Sequence, residues 1–180
     1  MVNLYDSLNS RGTVNTHVRD QIADFLYLPS APEIHVDIQP VQRQTNGTNC
    51  GIFAIAYAVD LANRQDPTKI RYDEGKMRKH FHDCLQAESL KPFPCNAGYH
   101  YCAQREIKRK NIDLFCICRR PYRKGTLTMK CSMCRESFHK DCMDIPDIVF
   151  EQRSFWCCKS CINANSRAKI KGRQNLKGPR

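Results

Sequence analysis

Eight residues in the second half of the chain have the types and spacings of metal ligands. Cys116 and Cys118 are separated by one residue, Cys131 and Cys134 by two, His139 and Cys142 by two, and Cys158 and Cys161 by two. Zinc favours thiolate and imidazole, and its structural sites take four protein ligands. Seven cysteines and one histidine therefore suffice for two tetrahedral zinc ions. Short spacings let neighbouring sulfurs turn back on the same ion. A second candidate lies in QTNGTNCG, Gln44 to Gly51, where Cys50 stands between a polar loop and the apolar run IFAIAYAVDL. The start of a helix favours negative charge, which suits a thiolate nucleophile. Such chemistry also needs a general base, a group that orients it and donors for the oxyanion. Gln44, six residues upstream, is placed to be such a donor. From these residues alone, Cys50 reads either as a nucleophile or as a packed sulfur.

The surrounding pattern supplies the elements that must hold these groups. VNLY reads as a short strand ending at Asp6. Val14, Val18, Ile22 and Phe25 mark one face of a helix that Pro29 and Pro32 close. Ile34, Val36 and Ile38 alternate with polar residues, as in a half-buried strand. Residues 51–63 are apolar almost all round, predicting a helix buried on most sides. A further helix is expected over 73–86, with Met77, Phe81, Cys84 and Leu85 inward. Residues 93–113, with Pro94, Gly98 and the run REIKRK, read as a linker. The tail 163–180 is basic and is expected to be disordered.

Composition sorts the chain into two halves. Residues 1–93 carry 10 Lys and Arg against 11 Asp and Glu, a net −1; residues 94–180 carry 19 against 7, a net +12. Nine of the twelve cysteines lie at or after Cys102, in the basic half. The N-terminus lacks a basic stretch leading into an apolar one, so no signal peptide is expected, and clustered cysteines then point to metal rather than disulfides. No segment approaches the ~18 apolar residues of a membrane span. A basic, cysteine-rich half makes a polyanion a candidate partner.

The ligand order C-x-C, C-x2-C, H-x2-C, C-x2-C, with Trp156 two residues before Cys158, resembles the PHD finger over residues 114–162. The resemblance implies interleaved ligation. One zinc takes Cys116, Cys118, His139 and Cys142, the other takes Cys131, Cys134, Cys158 and Cys161, and Cys157 is left over. Phe115 and Tyr122 are candidate peptide-contact residues, as two walls of an aromatic cage. Against methyl-lysine reading, Ser137 stands where that family's readers carry a Trp. No acidic residue flanks Cys131, and residues 114–162 carry a net +4. The expectation is a finger that binds another protein segment or caps its neighbour.

QTNGTNCGIFAIAYA, with VNLYDSL upstream, resembles the SUMO-type (ubiquitin-like-protein) cysteine proteases over residues 1–92. The resemblance implies Cys50 as nucleophile, Asp6 as the base-orienting acid and Gln44 as the oxyanion donor. Asn49 replaces that family's Asp before the nucleophile. The family's catalytic His precedes the Asp strand, and Asp6 is only five residues from Met1. His17, His35, His80, His82 and His100 read as surface or packing residues. Transposon-associated proteins of animals combine such parts. The expected fold is α+β: a partial papain-like cysteine protease domain and a small two-zinc PHD finger. The expected function is zinc binding with a protein-interaction role toward a ubiquitin-like modifier or a chromatin protein. The alternatives are an active deconjugating protease whose His comes from outside this chain, and a nucleic-acid-binding protein using the basic half. The patches IKGR and LKGPR favour an intracellular, nuclear site.

Overall fold

The computed structural model describes residues 1–9, 12–96, 106–152 and 155–164. His100, Cys102, the middle of the expected linker and the basic tail from 165 onward lie outside them. The chain forms two compact units, one of Met1–Asn15 with Ile34–Ile112, the other of Thr16–Glu33 with Asp113–Arg180.

In the first unit, β1 (Val2–Leu4) runs parallel to β2 (Glu33–Ile38), with Val2 opposite Val36 and Leu4 opposite Ile38. β3 (Lys108–Asp113) completes a sheet of order β1-β2-β3. The sequence reading placed β3 in a linker, because its residues are almost all charged or polar. Only Ile112 of β3 is buried, as suits an edge strand whose cations discourage further pairing. β2 also departs from simple alternation. Asp37 is buried beside Ile38, and Arg109 of β3 reaches its carboxylate at 3.7 Å.

α2 (Cys50–Ala62) turns Phe53, Ala56, Tyr57, Val59 and Asp60 inward. It leaves Gly51, Ala54, Ala58 and Leu61 exposed, so one face meets solvent where burial on most sides was expected. After a 3-10 turn at Pro67–Lys69, α3 (Glu74–Gln86) adds Met77 and Cys84 to the interior. Leu85, expected inward, is exposed because Cys84 takes the buried position beside it. The rings of Phe53, Tyr57 and Tyr72 pack with centroids 5.7 to 5.8 Å apart. Burying a large apolar side chain contributes about 1.5–3 kcal/mol, so this aromatic knot dominates the unit's core.

Its polar atoms are satisfied by Gln42 and Asp60. Gln42 Oε1 accepts from the Tyr72 N–H at 2.6 Å, Gln42 Nε2 donates to the Tyr72 carbonyl at 3.2 Å, and the Tyr57 hydroxyl donates to the Gln42 carbonyl at 2.9 Å. The Tyr72 hydroxyl donates to the buried Asp60 carboxylate.

In the second unit, α1 (Thr16–Leu26) buries Ala23 and half-buries Val18, Ile22 and Leu26. Phe25, expected on the inward face, is 89% exposed. Asp20 and Asp24, one turn apart, reach Arg123 at 2.7 Å and Arg120 at 3.0 Å. The Arg19 guanidinium donates to the Tyr122 carbonyl at 3.1 Å, and Arg119 Nε donates to the Pro29 carbonyl at 3.0 Å. β4 (Thr128–Lys130) pairs antiparallel with β5 (Ser137–His139), Met129 opposite Phe138. Two short helices follow, α4 (Lys140–Met143) and α5 (Asp147–Glu151), and residues 159–164 are helical. Among the described residues, no helix is long and apolar enough to cross a membrane.

Candidate metal centre

The eight spaced ligands converge into two groups of four. Cys116, Cys118, His139 and Cys142 form one; Cys131, Cys134, Cys158 and Cys161 form the other. Within each, all donor atoms lie within 4.8 Å of one another. Ligand sulfurs at about 2.3 Å from a tetrahedral zinc stand about 3.8 Å apart. The Cys134 and Cys158 sulfurs are 4.0 Å apart, and the Cys142 sulfur is 3.8 Å from His139 Nδ1. The donor chemistry and the spacing both fit zinc, and every cysteine among the described residues is free of a disulfide.

Local backbone places these atoms. Cys116, Arg119 and Arg135 hold φ values of 64, 49 and 60°, in the left-handed region that costs a non-glycine residue about 1–3 kcal/mol. The tight turns are closed by Arg119 N–H to the Cys116 carbonyl at 3.3 Å and Arg135 N–H to the Cys131 carbonyl at 2.9 Å. β5 ends at His139, which caps α4, and α4 carries Cys142 on its single turn. Ser132 and Trp156 tie the two halves of the second group together. The Ser132 N–H donates to the Trp156 carbonyl at 2.8 Å, and the Trp156 N–H donates to the Ser132 hydroxyl at 3.2 Å. Trp156 meets Phe138 edge to face at 5.6 Å.

The electrostatics explain why a cation is needed. Burial, then the neighbouring Cys116 and Cys118, push the Cys142 thiol up to about 12. The bond to Cys158, then burial, push Cys161 up to about 12. Burial also raises Cys131, but the N–H groups of Cys158, Cys134 and Met133 outweigh it and bring that thiol down to about 6. Burial, then Arg120, lower His139, which keeps its imidazole neutral and able to ligate. Thiolates cannot crowd together unaided. A divalent zinc supplies the charge that lets them ionise side by side.

Cys157 stands outside both groups. It is half-buried against the finger's core. Phe115 is half-buried against the same core and pairs with Arg120 through both backbone bonds, at 3.0 and 3.3 Å. Tyr122 is half exposed. Among the described residues, no ring contact joins Phe115 to Tyr122. A cleft of about 490 Å³ opens beside the first group, lined by Asp24, Tyr27, Arg120, Arg123 and Asp141 together with Cys118, His139 and Cys142. Sequence reasoning did not anticipate the share of α1 in this wall. The one available signal was the i, i+4 spacing of Asp20 and Asp24.

Cys50 is the first residue of α2 and is exposed. The Asp6 turn and Gln44 are brought together: Gln44 N–H donates to the Ser7 carbonyl at 3.3 Å, and the Ser7 hydroxyl donates to Gln44 Oε1 at 2.8 Å. Gln44 Nε2 is engaged by the Asn46 carbonyl, and Asp6 Oδ1 accepts from the Leu8 N–H at 2.9 Å. Among the described residues, no hydrogen bond links Cys50 to Asp6, Gln44 or a histidine. His35 bonds Asn111 at 3.0 Å, and His80 bonds the Lys91 carbonyl at 3.2 Å.

Residues 116–161 match the PHD-finger family model. The chain is 30% identical over 66 residues to nucleosome-remodeling factor subunit NURF301 of Drosophila melanogaster, covering 37% of this chain and 2% of that protein. It is 26% identical over 63 residues to lysine-specific demethylase 7B of Danio rerio, covering 35% of this chain and 11% of that protein. It is 24% identical over 62 residues to lysine-specific demethylase 7A of Xenopus tropicalis, covering 34% and 7%. The chain thus spans a small part of the length of these relatives. No solved structure matches. Nothing in these comparisons supports a SUMO-type protease domain in residues 1–92 or a papain-like fold there. Residues 116–161 are a PHD finger, and its two groups of four ligands, one of three cysteines and a histidine and one of four cysteines, are consistent with two zinc ions.

Proposed function

We propose that the chain is a zinc-dependent protein-interaction protein of the nucleus. In this reading its finger takes a segment of a chromatin protein or a ubiquitin-like modifier, and residues 1–92 are a protease-derived part that does not turn over substrate. The observation that carries the reading is the contrast between the two chemistries. The finger has all eight ligands gathered, whereas Cys50 has no base among its hydrogen-bond partners in the described residues. The names of the relatives, a nucleosome-remodeling subunit and two lysine demethylases, support a chromatin setting. β4 has β5 as its one strand neighbour among the described residues, so its outer edge is available to an extended segment. The finger's net positive charge favours a neutral or acidic segment over a basic tail.

The test is turnover of a fluorogenic ubiquitin-like C-terminal substrate by the chain and by its Cys50→Ala form, run beside an NMR titration with candidate peptides. Equal rates for the two forms, together with shifts confined to the finger, are expected. Turnover that disappears in Cys50→Ala establishes the second reading, a working cysteine protease. The exposed place of Cys50 at the start of α2 favours that alternative.

A further inference from the structure

The turn that leads into β4 carries a hydroxyl that the fold does not use. Arg123 and Thr126 are the first and last residues of this β-turn, which the Thr126 N–H closes by donating to the Arg123 carbonyl at 3.1 Å. Such a turn brings its two end residues within about 7 Å of each other. Gly125, third in the turn, holds φ at 89°, a value that glycine adopts at no steric cost. The tip, Lys124 and Gly125, is exposed, and Thr126 is half-buried. A Cβ added at Gly125 would meet nothing within 4 Å, so the tip stands in open space. Among the described residues, the Thr126 hydroxyl has no hydrogen-bond partner. Thr126 lines the cleft of about 490 Å³ beside the first ligand group, together with Arg120, Arg123, Asp24 and Asp141. Both arginines are held by α1, Arg120 by Asp24 at 3.0 Å and Arg123 by Asp20 at 2.7 Å.

We propose that Thr126 is a phosphorylation site whose phosphate takes Arg120 and Arg123 away from the acids of α1. The phosphoryl donor is a nucleoside triphosphate, and a separate protein kinase carries out the transfer. The Thr126 oxygen attacks the γ-phosphorus, and the bond from that phosphorus to its bridging oxygen breaks. The hydroxyl proton passes to the kinase's base, and the nucleoside diphosphate leaves. Residues 119–124 hold Arg119, Arg120, Arg123 and Lys124 and no acid, which suits a kinase with an acidic peptide groove. The product carries about −1.5 to −2 charges and three acceptor oxygens. A carboxylate offers one charge and two oxygens. Guanidinium groups bind phosphate through paired, charge-assisted hydrogen bonds, so a phosphate across the turn from Arg123 displaces Asp20 and Asp24. Asp24 and Asp141, in the same cleft, then face a like charge. The attachment of α1 to residues 119–123 is weakened. No metal ligand changes its donor atom, so both ligand groups stay intact.

The experiment treats the zinc-loaded full chain with ATP, magnesium and a protein kinase that reads arginine three residues before its target. Phosphate is located by fragment mass spectrometry, and amide hydrogen exchange across Thr16–Leu26 is compared before and after. A phosphate on Thr126 is expected, with exchange faster by a few-fold and bound zinc unchanged at two ions. Treated Thr126→Ala is expected to keep its original exchange. The double variant Asp20→Asn with Asp24→Asn is expected to gain little from phosphorylation, because the pairs that the phosphate breaks are already gone. The proposal is overturned if Thr126 takes no phosphate, or takes it only after chelation has removed the zinc. It is equally overturned if phosphate on Thr126 leaves the exchange of Thr16–Leu26 as it was, or speeds it as much in the double variant. Should the double variant fail to hold two zinc ions, treated Thr126→Ala decides: acceleration equal to that of the wild-type chain assigns the effect to another hydroxyl and sinks the proposal.

Discussion

Asp60 is a carboxyl group that the fold keeps at 2% exposure with one hydroxyl for company. Burial raises its titration range, and the Tyr72 bond opposes this without cancelling it. The native state therefore holds the Asp60 proton more tightly than the unfolded chain does. Its contribution to stability is fully present below the unfolded carboxyl range and is lost as pH rises through the native one. Tyr72→Phe removes the donor and leaves a buried acceptor unpaired, at a cost of about 1–3 kcal/mol. That cost is expected to be larger at neutral pH than near about pH 4. Asp60→Asn keeps an acceptor and sheds the charge, so its stability relative to wild type is expected to improve from acid to neutral pH. Thermal melts followed by tyrosine near-ultraviolet circular dichroism check both, because Trp156 lies in the other unit. None of this was readable in the sequence, where Asp60 is one acid at the end of an apolar run. The ligands were readable because the spacing of Cys116 to Cys161 itself encodes the chemistry. Gln42 was not, because its value lies in a backbone thirty residues away.

At the scale of elements, apolar periodicity located α1, α2, α3 and β2 but did not say what each would meet. Phe25 and Leu85 fitted the expected inward faces and are exposed. Their neighbours, Arg120 and Arg123 paired with α1 and the buried Cys84 beside Leu85 on α3, break no pattern in the sequence. β3 was hidden because a strand edge protected by Lys108, Arg109 and Lys110 has the composition of a linker. The α1 ion pairs are testable. Their side chains are 15 to 50% exposed, so each contributes only about 0.2–1 kcal/mol and is weakened by salt. Asp20→Asn combined with Asp24→Asn is expected to speed amide hydrogen exchange across Thr16–Leu26 by a few-fold at low salt, while Met77 and Tyr57 keep their protection. The difference between variant and wild type should shrink at high salt. Exchange mass spectrometry with peptide resolution measures it, and unchanged exchange would mean that Ala23 and its apolar neighbours hold the helix by themselves.

For the molecule as a whole, metal and sheet are expected to fail separately. The finger's buried set is little more than Cys116, Cys131, Phe138, Met143, Ile145 and Cys158. So small a core depends on structural zinc, which supplies about 10–16 kcal/mol per site. Chelation of both ions should collapse residues 116–161 and move Trp156 emission to the red, with the tyrosine signal of the first unit retained. His139→Ala should lower bound zinc from two ions to one or none, as measured by plasma mass spectrometry. Cys50→Ala should leave it at two. The membership of Thr16–Glu33 in the finger's unit bears on how the finger is handled at the bench. A piece cut at residues 114–162, the limits that ligand spacing suggests, sheds the acids that neutralise Arg120 and Arg123. It also loses the carbonyl of Pro29 that Arg119 engages. Such a piece presents two newly bare guanidinium groups, those of Arg120 and Arg123, while Arg119 keeps Glu136 at 2.7 Å, and its apparent affinity for DNA, RNA or heparin would be an artefact of the scissors.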